Sequence, residues 1–195
     1  LLDLGISSDE LELSGRGFSF QKNEPLLMTY NDDQVPVMQL LKELSEEDLA
    51  NILKKYGEER YAFRIAKAIK QKQRQAPIRT TGELVEVILH VVRRQAQRLH
   101  PATRTFMALR IYANHELENL EKILQDLKNI MATGGRAAVI AFHSLEDRLV
   151  KNHFRQLKQE GLGEIITKKP VIPTDEEVAN NPRARSAKLR VFRFK

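Results

Sequence analysis

The sequence predicts an α/β fold interrupted by an all-helical insert. Three observations predict it. The apolar run Ala137-Ala138-Val139-Ile140-Ala141-Phe142 follows Thr133-Gly134-Gly135 and ends in the polar cluster His143-Ser144-Leu145-Glu146-Asp147-Arg148. That is the pattern of a buried strand delivering functional groups at its carboxyl end, where open α/β sheets bind ligands. A second apolar run, Leu1-Leu2-Asp3-Leu4, breaks at Gly5 and delivers Asp3, Ser7 and Ser8. Between residues 37 and 98, apolar side chains recur at helical spacing and no convincing strand interrupts them.

The first strand opens the chain without an initiator Met, a cap or a preceding turn, so a longer protein is expected. Residues 9–36 read as a long loop punctuated by Gly15, Gly17, Pro25, Asn31, Asp32, Asp33 and Pro36. Within it Arg16 stands beside Phe18 and Phe20, which suits either a functional loop or a surface loop pinned by its aromatics. Ser45 with Asp48 marks a helix start, Leu49, Ile52, Leu53 and Tyr56 form its apolar stripe, and Gly57 stops it. A helix over 58–74 turns Tyr61, Ile65, Ala68 and Ile69 inward and ends before Pro77. Thr80 and Glu83 repeat the capping-box spacing ahead of Leu84, Val87, Ile88 and Val91. These stripes read as packing, in an insert of three or four helices.

Pro101 and Ala102 open one long helix reaching Met131, stopped by Gly134-Gly135. The strand 137–142 follows, then a helix over 145–159. Residues 160–187 read as mostly irregular. Lys188–Phe194 alternates basic and apolar residues, the pattern of an edge strand with one solvated face.

Composition narrows the function. With 42% hydrophobic and 30% charged residues in 195, the chain is globular rather than disordered, one domain or a core plus a small inserted one. No apolar run approaches the roughly 18 residues of a membrane span, and no signal peptide is visible. Cys is absent, which excludes a thiol nucleophile or Cys-based zinc site and fits a reducing compartment; a cytoplasmic location is expected. The net charge of +6 fits a polyanionic partner, most simply nucleic acid, or a solubilising surface. The cations cluster as Lys67, Lys70, Lys72, Arg74 and Arg79, as Arg93, Arg94 and Arg98, and as Arg183, Arg185, Lys188 and Arg190. Trp is absent, so no base-stacking platform stands out.

No general motif fixes a reaction: there is no Gly-rich phosphate loop, His-Glu-x-x-His or Gly-x-Ser-x-Gly elbow. His143 followed by Glu146 and Asp147 is a weak ligand pattern, and no metal is expected. His90, His115 and His153 fall on predicted helices and read as surface or packing residues; His100 precedes a helix.

Six stretches carry a resemblance: Asp3-Leu4-Gly5-Ile6-Ser7-Ser8, Arg16-Gly17-Phe18-Ser19-Phe20, Tyr56-Gly57-Glu58-Glu59-Arg60, His100-Pro101-Ala102-Thr103-Arg104-Thr105-Phe106, Phe142 to Arg148, and Asn181-Pro182-Arg183-Ala184-Arg185-Ser186. In this order, and over essentially the whole chain, they resemble the ribosomal RNA small subunit methyltransferase H family, also called the MraW family. The resemblance implies a class I (Rossmann-like) methyltransferase core lacking its N-terminal strands, with 1–36 and 99–195 forming the partial core. It implies that 37–98 is the helical insert, an RNA-recognition domain. It also implies methyl transfer from S-adenosyl-L-methionine to the exocyclic N4 of a cytidine in 16S rRNA of the small ribosomal subunit.

On that resemblance, Asp3 contacts the cofactor, with Glu10 beside it. Ser7 and Ser8 stand near the transfer point, and His143 and Ser144 orient the cytosine. Arg16, Arg183 and Arg185 are candidates for RNA contacts, the last two as bidentate phosphate ligands or as ties to acidic core residues. Glu146 and Asp147 hold Arg148 or cap the following helix. The chain departs from the family at Glu10, where a cofactor-contacting Gln is usual, and at Leu27 and Thr29, where the family has Pro-Leu-Asp-Met-Arg. The family's Gly-rich cofactor segment precedes residue 1, so these 195 residues alone are expected to be inactive. The competing reading is a non-catalytic RNA- or ribosome-binding module on the same fold. A homodimer through the insert is compatible with the sequence, and no feature argues for one.

Overall fold

The computed structural model describes residues 1–92 and 99–195, apart from the side chains of Ser8 and Glu12. The basic group Arg93, Arg94 and Arg98 lies outside the described residues. The chain forms two compact units, Ile6–Glu116 and a second made of Leu1–Gly5 with Leu117–Lys195.

The first unit is helical. A short helix α1 (Ser8–Glu12) lies where the sequence reads as loop, begun by a capping box between Ser7 and Glu10. α2 (Val37–Glu43), α3 (Glu46–Gly57), α4 (Ala62–Gln75) and α5 (Thr81–Val91) form the helical stretch, followed by α6 (Thr103–Ala113). Ser45 caps α3 by accepting from the Asp48 N–H at 3.0 Å. Thr80 and Glu83 form the expected capping box of α5. α4 starts at Ala62 rather than 58, because Glu58 takes a left-handed conformation (φ 49°) that ends α3 and turns the chain. Leu49, Leu53, Ile65, Ile69, Leu84 and Ile88 are fully buried.

The loop ahead of α2 belongs to this core. Leu26 and Met28 are fully buried, the Leu26 N–H donates to Arg79 O at 2.8 Å, and the Thr81 N–H donates to Glu24 O at 3.0 Å. Gly17 serves this path twice. Its φ is +76°, and a Cβ there would lie 2.4 Å from Pro25 O.

The expected helix over 102–131 is two. α6 ends at Ala113 and α7 (Glu116–Ile130) begins afterwards. The break lies at Asn114 and His115, the latter with φ 52°. Asn114 is 2% exposed. Its Nδ2 donates to Met28 O and Arg110 O, both at 2.8 Å, and its Oδ1 accepts from the Tyr30 N–H at 2.9 Å. These bonds satisfy loop backbone groups that would otherwise be buried unpaired.

The second unit is a four-stranded sheet with helices. β1 (Leu2–Asp3) and β2 (Arg136–Ala141) are parallel; α8 (Ser144–Gln159), β3 (Gly163–Ile165), α9 (Asp175–Asn180) and β4 (Lys188–Phe194) follow, in sheet order β1-β2-β4-β3. Two expectations are corrected here. β4 is not an edge strand: it pairs antiparallel with β2 on one side and with β3 on the other. Residues 160–187 are not mostly irregular, since they hold β3, α9 and a 3-10 turn over Pro182–Ser186. The basic alternation of β4 misleads because Arg190 is buried against an acid: with Phe192 and Phe194 it lies on the inward face. Leu120, Leu124 and Leu127 of α7, Val150, Phe154 and Leu157 of α8, and Val139 and Phe192 of the sheet share one core.

Candidate active site

The parallel pair positions the first candidate residues. Asp3 is in register with Ile140, and the Leu4 N–H donates to Ile140 O at 3.1 Å. β1 and β2 therefore end at the same sheet edge. Asp3 stands exposed at the end of β1, and the turn His143-Ser144 leaves the end of β2. Exposure of a carboxylate and a hydroxyl at the carboxyl edge of parallel strands is the arrangement expected of a binding edge.

The polar cluster after β2 divides into building and exposed parts. His143 is the N-cap of α8, its Nδ1 accepting from the Glu146 N–H at 3.4 Å. Glu146, 3% exposed, accepts through Oε2 from the N–H groups of Phe142 (2.8 Å) and His143 (3.2 Å). Burial pushes its carboxyl up, but the contacts from the His143 ring and the two backbone N–H groups outweigh this and hold it below the usual range. His143 Nε2 lies 3.3 Å from Glu146 Oε1 without hydrogen-bond geometry. Because Nδ1 accepts, the neutral ring carries its proton on Nε2. Ser144 opens α8 and is exposed.

Of the two expected roles for Glu146 and Asp147, capping the following helix falls to Glu146, and Asp147 holds Arg190. Its oxygens take the Arg190 guanidinium at 2.7 and 3.3 Å, with Lys188 Nζ at 3.5 Å. Burial raises this carboxyl, while Arg190 and then Lys188 bring it down further, so it stays below its ordinary value. Sequence reasoning missed this pair; the signal was the inward place of Arg190 in the alternation of β4.

The remaining candidates are held locally. Ser7 Oγ accepts from the Glu10 N–H at 3.1 Å and donates to Glu10 Oε2 at 2.9 Å; the Ser7 N–H donates to the same oxygen at 3.1 Å. Ser7 and Glu10 thus cap α1, and the side chain of Ser8 lies outside the described residues. The Arg16 guanidinium clasps its own loop: Nε donates to Thr29 O at 2.6 Å, Nη2 to Thr29 Oγ1 at 3.0 Å, and Nη1 to Asp32 Oδ1 at 2.8 Å. Thr29 is buried and supplies two of those acceptors. Arg183 and Arg185 are exposed on the 3-10 turn ahead of β4.

The pattern characteristic of the MraW methylase family matches residues 1–195. The chain belongs to the MraW methylase family. It is 48% identical over 194 residues to the ribosomal RNA small subunit methyltransferase H of Coprothermobacter proteolyticus, covering 99% of this chain and 64% of that protein. The corresponding protein of Koribacter versatilis is 48% identical over 194 residues (97% and 61% coverage), and that of Rhodopirellula baltica 49% over 195 residues (98% and 59%). The chain therefore spans about three-fifths of the length of these MraW relatives. Among the described residues, no helix is long and apolar enough to cross a membrane.

Proposed function

We propose that this chain is a large part of an S-adenosyl-L-methionine-dependent methyltransferase. On this reading it methylates the exocyclic N4 of a cytidine in 16S rRNA of the small ribosomal subunit, in the cytoplasm, on a class I core. The observation that carries the reading is the family match over the whole chain, together with Asp3 and the His143-Ser144 turn ending adjacent parallel strands.

The donor set fits such a cofactor in part. An exposed carboxylate accepts from ribose hydroxyls or an ammonium group, both of which S-adenosylmethionine presents. One cleft of this unit lies between α7 and α8 and another is lined by Phe154, Ile165 and Arg190; neither includes Asp3, His143 or Ser144. On this reading Asp3 contributes one open side of a cofactor site. Bound S-adenosylmethionine supplies a methyl group made electrophilic by its sulfonium. A cytosine amino group is a weak nucleophile, because its lone pair is delocalised into the ring, and it needs in-line placement. On this reading Ser144, exposed at the start of α8, accepts from one of the amino N–H groups, which helps localise the lone pair. His143, held by the Glu146 N–H, orients this turn. Arg183 and Arg185 supply phosphate contacts, and 37–98 supplies RNA recognition.

One observation favours the non-catalytic alternative: Glu10, at the position of a cofactor-contacting Gln, is engaged in the cap with Ser7. Calorimetry with S-adenosylmethionine on the full gene product separates the two readings. Micromolar binding that is lost in Asp3→Ala supports the enzyme. Absence of binding in the unaltered protein supports the RNA-binding module, and equal binding in Asp3→Ala removes Asp3 from the site.

A further inference from the structure

The sheet unit holds a small cavity of about 50 Å³ beside α8, β3 and β4. Space of that order takes about three or four water-sized groups, which is the size of one tetrahedral anion. Lys151 and Arg155 line it from α8, Thr167 and Lys168 from the segment after β3, and Arg190 from β4.

The lining is cationic on three sides. Lys151 and Arg155 stand one turn apart on α8, and Lys158 extends the same row. Four positive side chains border the space, and among the described residues no carboxylate does. Ile165 also lines it, so strand alternation turns Glu164 to the opposite face, where it pairs with Arg193. Like charges gathered around a small space repel one another, and an anion placed among them removes that repulsion.

Two of the donors are built in rather than left on the surface. Arg190 is 8% exposed, and a solvated basic face would not bury its arginine. Asp147 takes the Nε and one Nη2 bond of this guanidinium. An arginine carries five N–H groups in a rigid fork, so three are not used by Asp147. The Thr167 Oγ1 accepts from the Val191 N–H at 2.9 Å, which fixes the oxygen and leaves its own proton to donate. Donors already held in place cost little to order when a ligand arrives. A planar carboxylate meets such donors on one edge only, whereas the oxygens of a phosphate face α8, β4 and the segment after β3 together.

We propose that this cavity is a phosphate site, taking a phosphodiester of an RNA backbone or a free phosphate ion. It includes none of Asp3, His143 and Ser144, and it stands whether or not the chain transfers methyl groups.

The test titrates the full gene product with sodium phosphate against sodium chloride at constant ionic strength, so that screening stays fixed. The amide shifts of Thr167 and Lys168 report binding. Saturable binding with a Kd of about 1 mM is expected for phosphate and none for chloride. Arg155→Gln, at an exposed position, is expected to weaken it about tenfold, and Lys151→Gln combined with Arg155→Gln to remove saturation. If circular dichroism shows that the double variant unfolds, Arg155→Gln decides alone. Asp3→Ala is expected to bind phosphate as the parent does, which keeps this site separate from the methyl-transfer reading. A single-stranded RNA oligonucleotide that displaces the phosphate assigns the site to an RNA backbone, and one that leaves it bound assigns the site to the free ion. Absence of saturable phosphate binding, or an affinity unchanged in Arg155→Gln, overturns the proposal.

Discussion

Glu146 shows how one side chain fixes a turn. It is almost fully buried, yet it is held ionised by the His143 ring and the N–H groups of Phe142 and His143. Its folded-state pKa lies below the unfolded value, as does that of Asp147 beside Arg190. Their contribution to stability is therefore complete above the ordinary carboxylate range near pH 4, and it is lost as pH falls through the depressed values. Glu146→Gln is expected to cost about 1–3 kcal/mol at pH 7 and to make the acid loss shallower. Urea unfolding of both forms at pH 7 and near pH 3 checks this; equal acid losses would remove Glu146 from the account. His153 titrates in the same sense at higher pH. Burial lowers its pKa and its Nε2 has no hydrogen-bond partner, so protonation below about pH 6.5 disfavours the fold.

Whole elements were legible where local chemistry decides them. Ser45, Thr80 and Glu83 announced their helices because a cap joins groups within four residues. The break between α6 and α7 was not, because Asn114 acts on Met28 and Tyr30, far away in sequence. The interior place of β4 was hidden for the same reason: Arg190 reads as solvated until Asp147 is found beside it. Asn114→Ala leaves buried loop groups unpaired and is expected to destabilise the helical unit by about 2–3 kcal/mol. Gly57→Ala drives a methyl into the α6 backbone at Arg104 and is expected to cost about 1–3 kcal/mol. Thermal unfolding of each variant measures both, and a variant as stable as the parent contradicts the corresponding packing argument.

At the scale of the molecule, the sequence showed the sheet edge more clearly than the site. Asp3 and His143 were legible as strand ends, because apolar runs stopping at polar clusters mark them. The engagement of Glu10 with Ser7, and of Arg16 with Thr29 and Asp32, was not, since hydrogen-bond partners depend on the folded path of the loop. Arg16 clasps its own loop, and Arg183 and Arg185 are exposed on the surface. Replacing both by Ala is expected to flatten the salt dependence of RNA binding by roughly one unit of slope for each phosphate that the arginines neutralise. A slope unaltered by the double change means that neither arginine neutralises a phosphate. The central claim is that the edge bearing Asp3 serves methyl transfer to small-subunit RNA. The most direct measurement is transfer of a labelled methyl group from S-adenosylmethionine to small ribosomal subunits by the full gene product, with and without Asp3→Ala. The account predicts label on a cytidine N4 with the unaltered protein and at least a hundredfold loss, about 3 kcal/mol, in the variant. An unaltered protein that binds the subunits and transfers no label, or an Asp3→Ala variant as active as the parent, contradicts it.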